Sequence, residues 1–225
     1  MITFKGITSD SLSVVINKLP TFKKPQRKSE VIAIEGKDGA EVVEYGFAPY
    51  VLPVRITLMD KDRLDEVMAW LDGSGVLITS DDPLRYRQAR VLGEVDYTRL
   101  VELKQAQVDF YIEHPFRYNI NDIPQTITGF PSTITNNGNV YSKPLLTLVG
   151  SGTVSLTING TTFSYAFPSG ESVVIDCESM DASYNGSLRN QYMSGGFPNL
   201  KVGSNAIAKT GTLTSIKFEK YSRWL

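Results

Sequence analysis

Between Gln105 and Ile112 apolar and polar side chains alternate strictly. Ala106, Val108, Phe110 and Ile112 fall on one side, Gln107, Asp109 and Tyr111 on the other. A period of two marks a strand with one buried face. Similar runs predict strands over 2–7, 11–16, 30–35, 41–47, 50–59, 76–79 and 86–93. One segment keeps a different period. Leu64, Val67, Met68 and Leu71 stand at i, i+3, i+4 and i+7, the apolar stripe of a helix over about 60–72. Asp60 suits its N-cap, acidic residues crowd its first turns, and Gly73 suits its stop. Trp70 lies just off the stripe and is expected to cover its edge.

Strand patterns also dominate the second half, at 144–149, 153–158, 161–167, 171–176, 205–209 and 213–220. Asn159-Gly160 between two of them is the residue pair that a two-residue hairpin turn demands. Turn chemistry also falls at Gly36-Lys-Asp-Gly39, since Gly and Asp accept positive φ cheaply. Residues 19–28, basic and with two prolines, are expected to form an exposed loop. No βαβ alternation occurs. The expected class is mainly β: an N-terminal β-barrel or sheet domain with one α-helix, then a β-sandwich.

Charge separates the halves. Residues 1–124 hold 16 Lys and Arg against 19 Asp and Glu, whereas 125–225 hold 7 against 5 and are rich in Ser, Thr, Asn and Gly. Prolines also cluster after Asn121. Two domains are therefore expected, 1–124 and 125–225.

The net charge of −1 advertises no nucleic-acid footprint. No apolar run approaches the ~20 residues of a membrane span, and the first residues lack the apolar core of a secretory signal. Cys177 is the only cysteine, set in a strand-like run, and reads as a structural thiol in a reducing compartment. His114 is the only histidine and precedes a proline. A Ser-His-Asp or Cys-His site would have to use it, and multi-histidine zinc sites are excluded. Asp81 and Asp82 precede Pro83 and read as a turn rather than a metal or acid/base pair. Phosphate-binding loops are absent. Neither catalytic residues, nor a metal, nor a cofactor is expected. Tyr184, Tyr192 and Phe197, in a Gly- and Asn-rich stretch, are the candidate weak sugar or partner site.

Several motifs, in order, carry a resemblance: Glu35-Gly-Lys-Asp-Gly39, Ala69-Trp-Leu71, Ser80-Asp-Asp-Pro-Leu-Arg-Tyr-Arg-Gln-Ala-Arg90 and His114-Pro-Phe-Arg-Tyr118. In the second half they continue with Asn137-Gly-Asn, Pro144-Leu-Leu-Thr-Leu-Val-Gly150, Leu156-Thr-Ile-Asn-Gly160, Val174-Ile-Asp176, Gly196-Phe-Pro-Asn-Leu200, Gly203-Ser-Asn205 and Tyr221-Ser-Arg-Trp-Leu225. Together they resemble the distal tail (Dit) proteins of siphophages of Gram-positive bacteria, whose C-terminal domain is galectin-like. The resemblance implies a baseplate hub: a homo-hexameric ring at the virion tail tip, synthesised in the bacterial host cytoplasm. Its implied partners are the tail tube protein, the tail-associated lysin or fibre protein and a receptor-binding protein. DNA would pass through the ring without sequence-specific contact, and no membrane is involved. A closed ring needs two different complementary surfaces on each subunit. Lys23, Lys24, Arg27 and Lys28, with Gly36, Lys37, Asp38 and Gly39, are the candidates for such contacts. The alternatives are a carbohydrate-binding host-recognition module acting through the C-terminal sandwich, and a β-rich hydrolase.

Overall fold

A computed structural model describes residues 1–21, 23–95, 100, 102–168 and 172–225. The chain divides into two compact units, Met1–Arg117 with Leu225, and Tyr118–Trp224. It is mainly β throughout, as the alternation predicts.

The first unit holds β1 (Ile2–Phe4), β2 (Ile7–Thr8), β3 (Val14–Lys18), β4 (Arg27–Ala33), β5 (Ala40–Phe47) and β6 (Tyr50–Leu58). Helix α1 (Leu64–Leu71), β7 (Gly73–Thr79), β8 (Arg85–Val91) and β9 (Gln105–Ile112) follow. Hydrogen bonding orders the sheet β2-β1-β7-β8-β9-β6-β3. Phe4 on β1 and Phe110 on β9 stack edge to face with centroids 5.1 Å apart. In a flat sheet three strand steps would hold those positions about 14 Å apart. The sheet therefore curls, and its inward residues meet in one core with Leu64, Val67, Trp70 and Leu71 of the helix.

Local chemistry departs from expectation at both helix ends. Asp60 accepts the Asp62 N–H as cap of a 3-10 turn, Lys61–Arg63, and the α-helix begins only at Leu64. Gly73, at φ +78°, opens β7 instead of ending the helix. Trp70 is not an edge residue. It is 3 % exposed, and its indole N–H donates to the Phe4 carbonyl, while Met68 on the expected stripe is only half-buried.

β10 (Arg117–Asn119) carries the chain across the boundary. The second unit continues with β11 (Gln125–Ile127), β12 (Ser132–Asn136), β13 (Leu145–Ile158), β14 (Thr161–Phe167) and β15 (Val173–Asp176). Then come β16 (Asp181–Tyr184), β17 (Ser187–Leu188), β18 (Met193–Gly195), β19 (Gly203–Glu219) and β20 (Arg223–Trp224). Glu171, expected to open a strand, lies outside the described residues.

Two strands organise this unit. The N-terminal part of β13 pairs with β15 and its C-terminal part with β14. Likewise β19 gives its N-terminal part to β12 and its C-terminal part to β11. β13 and β19 pair with each other along their length, with register breaks at Val149/Gly150 and Ser151/Ser155. Each therefore runs through both layers. Gly152 (φ +65°) and Gly211 (φ +82°) sit at the bend, in a conformation that costs L-residues ~1–2 kcal/mol. Each of these strands was expected as two, because glycines that crease a continuous strand look in sequence like glycines that end one. Inside the fold lie Leu146, Leu148, Leu156, Phe163, Tyr165 and Phe218, all essentially buried.

Candidate assembly interface

The feature of the first unit that the core does not explain is the β4–β5 hairpin. Its strands form a separate two-stranded sheet, pairing Arg27 with Phe47 and Ala33 with Ala40. Both faces are solvent-exposed: Val31 is 67 %, Val42 59 % and Tyr45 63 % accessible. Val31 lies opposite Val42, so their side chains share a face. An isolated hairpin is marginal in water, and exposed apolar surface of this kind marks interaction sites.

Its base and rim are pinned. The Arg27 guanidinium lies 4.8 Å over the Phe47 ring and donates to Glu44 at 2.5 Å, and Phe47 meets Phe116 edge to face at 5.3 Å. The Tyr45 hydroxyl donates to Glu30 at 2.8 Å; that bond to a carboxylate, then burial, raises the Tyr45 pKa. Gly36 (φ +81°) and Gly39 (φ +87°) make the turn, with Lys37 reaching Glu41 at 2.9 Å. Arg27 and Lys28, expected in a loop, thus lie on a strand. A strand with no buried face leaves no alternation to read. Lys23 and Lys24 are exposed on the preceding segment; Phe22 within that segment lies outside the described residues.

A groove of about 450 Å³ runs between that segment and the outer face of β6 and β9, lined by Asn17, Lys18, Lys23, Arg55, Gln105 and Gln107 among others. Its charged walls are basic. The hairpin carries Glu30, Glu35, Asp38, Glu41 and Glu44 against Arg27, Lys28 and Lys37, and is net acidic.

Elsewhere in this unit Asp82 bonds Arg85 at 3.2 Å and Arg117 at 2.7 Å. Burial lowers the Arg117 pKa, partly offset by Asp82. Asp82 thus anchors arginines, and the adjacent Asp81 is no partner in a catalytic pair by anything the contacts show. His114 lines a shallow depression with Arg90 and Glu113.

In the second unit the three aromatic candidates have separate engagements. Tyr184 lies under the Arg189 guanidinium at 5.9 Å, Tyr192 meets Tyr165 edge to face at 6.3 Å, and Phe197 packs half-buried on the core. Cys177 is buried, and desolvation, then Asp176, pushes its thiol up to about 12, far from a nucleophile's range. Sequence reasoning missed a different surface: the outward positions of β12, β13, β14 and β19. Thr157 pairs hydroxyl to hydroxyl with Thr162 at 2.8 Å, and Ser155 with Ser164 at 2.7 Å. At one end a shallow cleft of about 560 Å³ is lined by Ser132, Thr133, Thr157, Asn159, Ala206 and Ala208, with Pro131 at its rim.

Comparison with known proteins places these features. Residues 137–224 match the family model of the siphovirus-type tail component, C-terminal domain. No curated protein sequence matches the chain. The SPP1 Dit (gp 19.1) protein, described as a paradigm of the hub adsorption apparatus in phages infecting Gram-positive bacteria, superposes with a TM-score of 0.72 at 13 % identity. That match covers 96 % of this chain and 97 % of the other. A chain of the phage P2 baseplate in its activated conformation with Ca aligns at a TM-score of 0.46 and 7 % identity, over 92 % and 90 % of the two chains, too distant to support an argument.

Proposed function

We propose that this chain, whose residues 137–224 are a siphovirus-type tail component C-terminal domain and whose full length has the Dit fold, is a non-enzymatic baseplate hub that closes into a hexameric ring at the distal tail tip. The observation that carries the reading is the β4–β5 hairpin. It presents Val31, Val42 and Tyr45 to solvent on a net acidic ribbon, while the same unit holds a basic, amide-lined groove. Such a pair of unlike, complementary surfaces is what a head-to-tail interface needs in order to close. Lys23, Lys24, Arg27, Lys28 and the turn 36–39 then contact the neighbouring subunit or the tail tube. The tail-associated lysin or fibre protein and a receptor-binding protein complete the partners, and DNA passes through the bore.

Negative-stain imaging with native mass spectrometry tests this. Six-membered rings are expected for the wild type, and Val31→Lys with Val42→Lys should abolish them without altering the melting temperature. Charge reversal at Lys23, Lys24, Arg27 and Lys28 should weaken them. A wild-type chain that stays monomeric at high concentration, or rings that survive the double change at Val31 and Val42, would sink the hub reading for this hairpin.

A further inference from the structure

The hydroxyl-lined face of the second unit has an unusual composition. Its outward positions include Thr133 and Thr135 on β12, Ala206 and Ala208 on β19, and Thr157 on β13 facing Thr162 on β14. The interleaved residues Ile134, Ile158, Phe163 and Ile207 point inward and are buried. Lys209, next to Ala208, turns the other way, donating to the carbonyls of Gly211 and Leu213 at 3.3 and 3.2 Å. The face therefore carries hydroxyls and methyls without charge, in a protein with 23 basic and 24 acidic residues.

We propose that this face, centred on the cleft beside Thr133, Thr157 and Asn159, binds a neutral glycan chain. A hydroxyl donates one hydrogen bond and accepts two. In the Thr157–Thr162 pair one O–H is spent internally and the other remains for a ligand, polarised by its partner. Neutral sugars present the matching chemistry, hydroxyls at their rim and C–H groups on their ring faces. Ala206, Ala208 and Pro131 supply apolar contacts for those faces within the cleft. At about 560 Å³ it has the capacity of a small-ligand site. Thr, Ser and Ala also have little rotamer entropy to lose on binding.

Other occupants fit less well. Nucleic acid and anionic polymers need cations, and none faces outward here. A protein partner is ordinarily held by aromatic or arginine anchors in pockets, and this surface is concave and offers small side chains. A second copy of the same cleft would leave a void, concave against concave. The proposal goes beyond the hub reading and does not depend on a ring.

The test is isothermal titration and saturation-transfer NMR of the full chain with maltohexaose, cellohexaose and chitohexaose, and with polygalacturonate as the anionic probe. Saturable binding of at least one neutral hexasaccharide is expected. Ala208→Lys and Thr133→Lys should each weaken it tenfold or more with the melting temperature unchanged, and Thr157→Ser should retain it. Tyr184→Ala and Tyr192→Ala should leave it intact. The proposal is overturned if no neutral hexasaccharide binds saturably, if polygalacturonate binds best, if Ala208→Lys binds like wild type, or if the loss follows Tyr184 or Tyr192. Imaging the same samples separates the readings, since intact rings without binding defeat only this one.

Discussion

The Trp70 indole N–H donates a 2.9 Å hydrogen bond to the carbonyl oxygen of Phe4, joining helix α1 to strand β1 across 66 residues of sequence. The Trp70 ring also meets the Phe4 ring edge to face at 6.4 Å. Trp70→Phe keeps most of the packing but removes the donor to a buried carbonyl. It should cost about 1–3 kcal/mol. Trp70→Ala should cost about 3–5 kcal/mol by opening a cavity as well. Urea titrations of the two variants will check the order; equal losses would show that the hydrogen bond contributes nothing.

Asp82 is the shared acceptor for Arg85 and Arg117, and both Asp82 and Arg117 side chains are 13 % exposed. Asp82→Ala leaves a desolvated guanidinium without its carboxylate, which should destabilise the first unit by about 3–5 kcal/mol. Hydrogen exchange of β8 and β9 amides would report it. Asp81→Ala, on an exposed neighbour, should leave exchange unchanged.

At Gly211 a Cβ would sit 2.4 Å from the Thr153 carbonyl oxygen, at φ +82°. Gly211→Ala therefore combines backbone strain with a clash against main chain that cannot rotate away. A loss of at least ~1–3 kcal/mol is expected. Gly160, with φ +84° but open space around it, should tolerate alanine better. Thermal melts of the pair distinguish conformational strain from crowding.

Cys177 gives a pH prediction. Its folded pKa of about 12 stands above the model value of 9.0, because burial opposes the thiolate. Below about 9 the thiol is protonated in both states and contributes no pH dependence. As pH rises from 9 towards 12 the unfolded chain ionises first, so stability falls by up to ~1.4 kcal/mol per pH unit. Cys177→Ala should flatten that limb of the stability profile. The native thiol should also resist maleimide at pH 8 until denaturant is added.

How far the sequence was legible depended on whether each residue's neighbours were local. The alternation in β9 and the stripe Leu64, Val67 and Leu71 face cores and were readable from period alone. Asn159 (φ +51°) and Gly160 (φ +84°) form the hairpin turn their chemistry predicts. Trp70 was misplaced because its decisive partner, the Phe4 carbonyl, is 66 positions away. Arg27 and Lys28 read as loop because β4 buries neither face. The hydroxyl face was invisible for a related reason: Thr133, Thr157 and Ala208 come from strands far apart in sequence, and each alone is an ordinary surface residue.

The creased strands β13 and β19 have a mechanical consequence. Two separate sheets in a sandwich can slide over each other when only side chains hold them. Here the same backbone runs through both layers, so sliding would have to break main-chain hydrogen bonds or stretch covalent chain. Under load the second unit should yield by flexing at the fold lines near Gly152 and Gly211 rather than by shear, behaving as a single stiff, hinged plate.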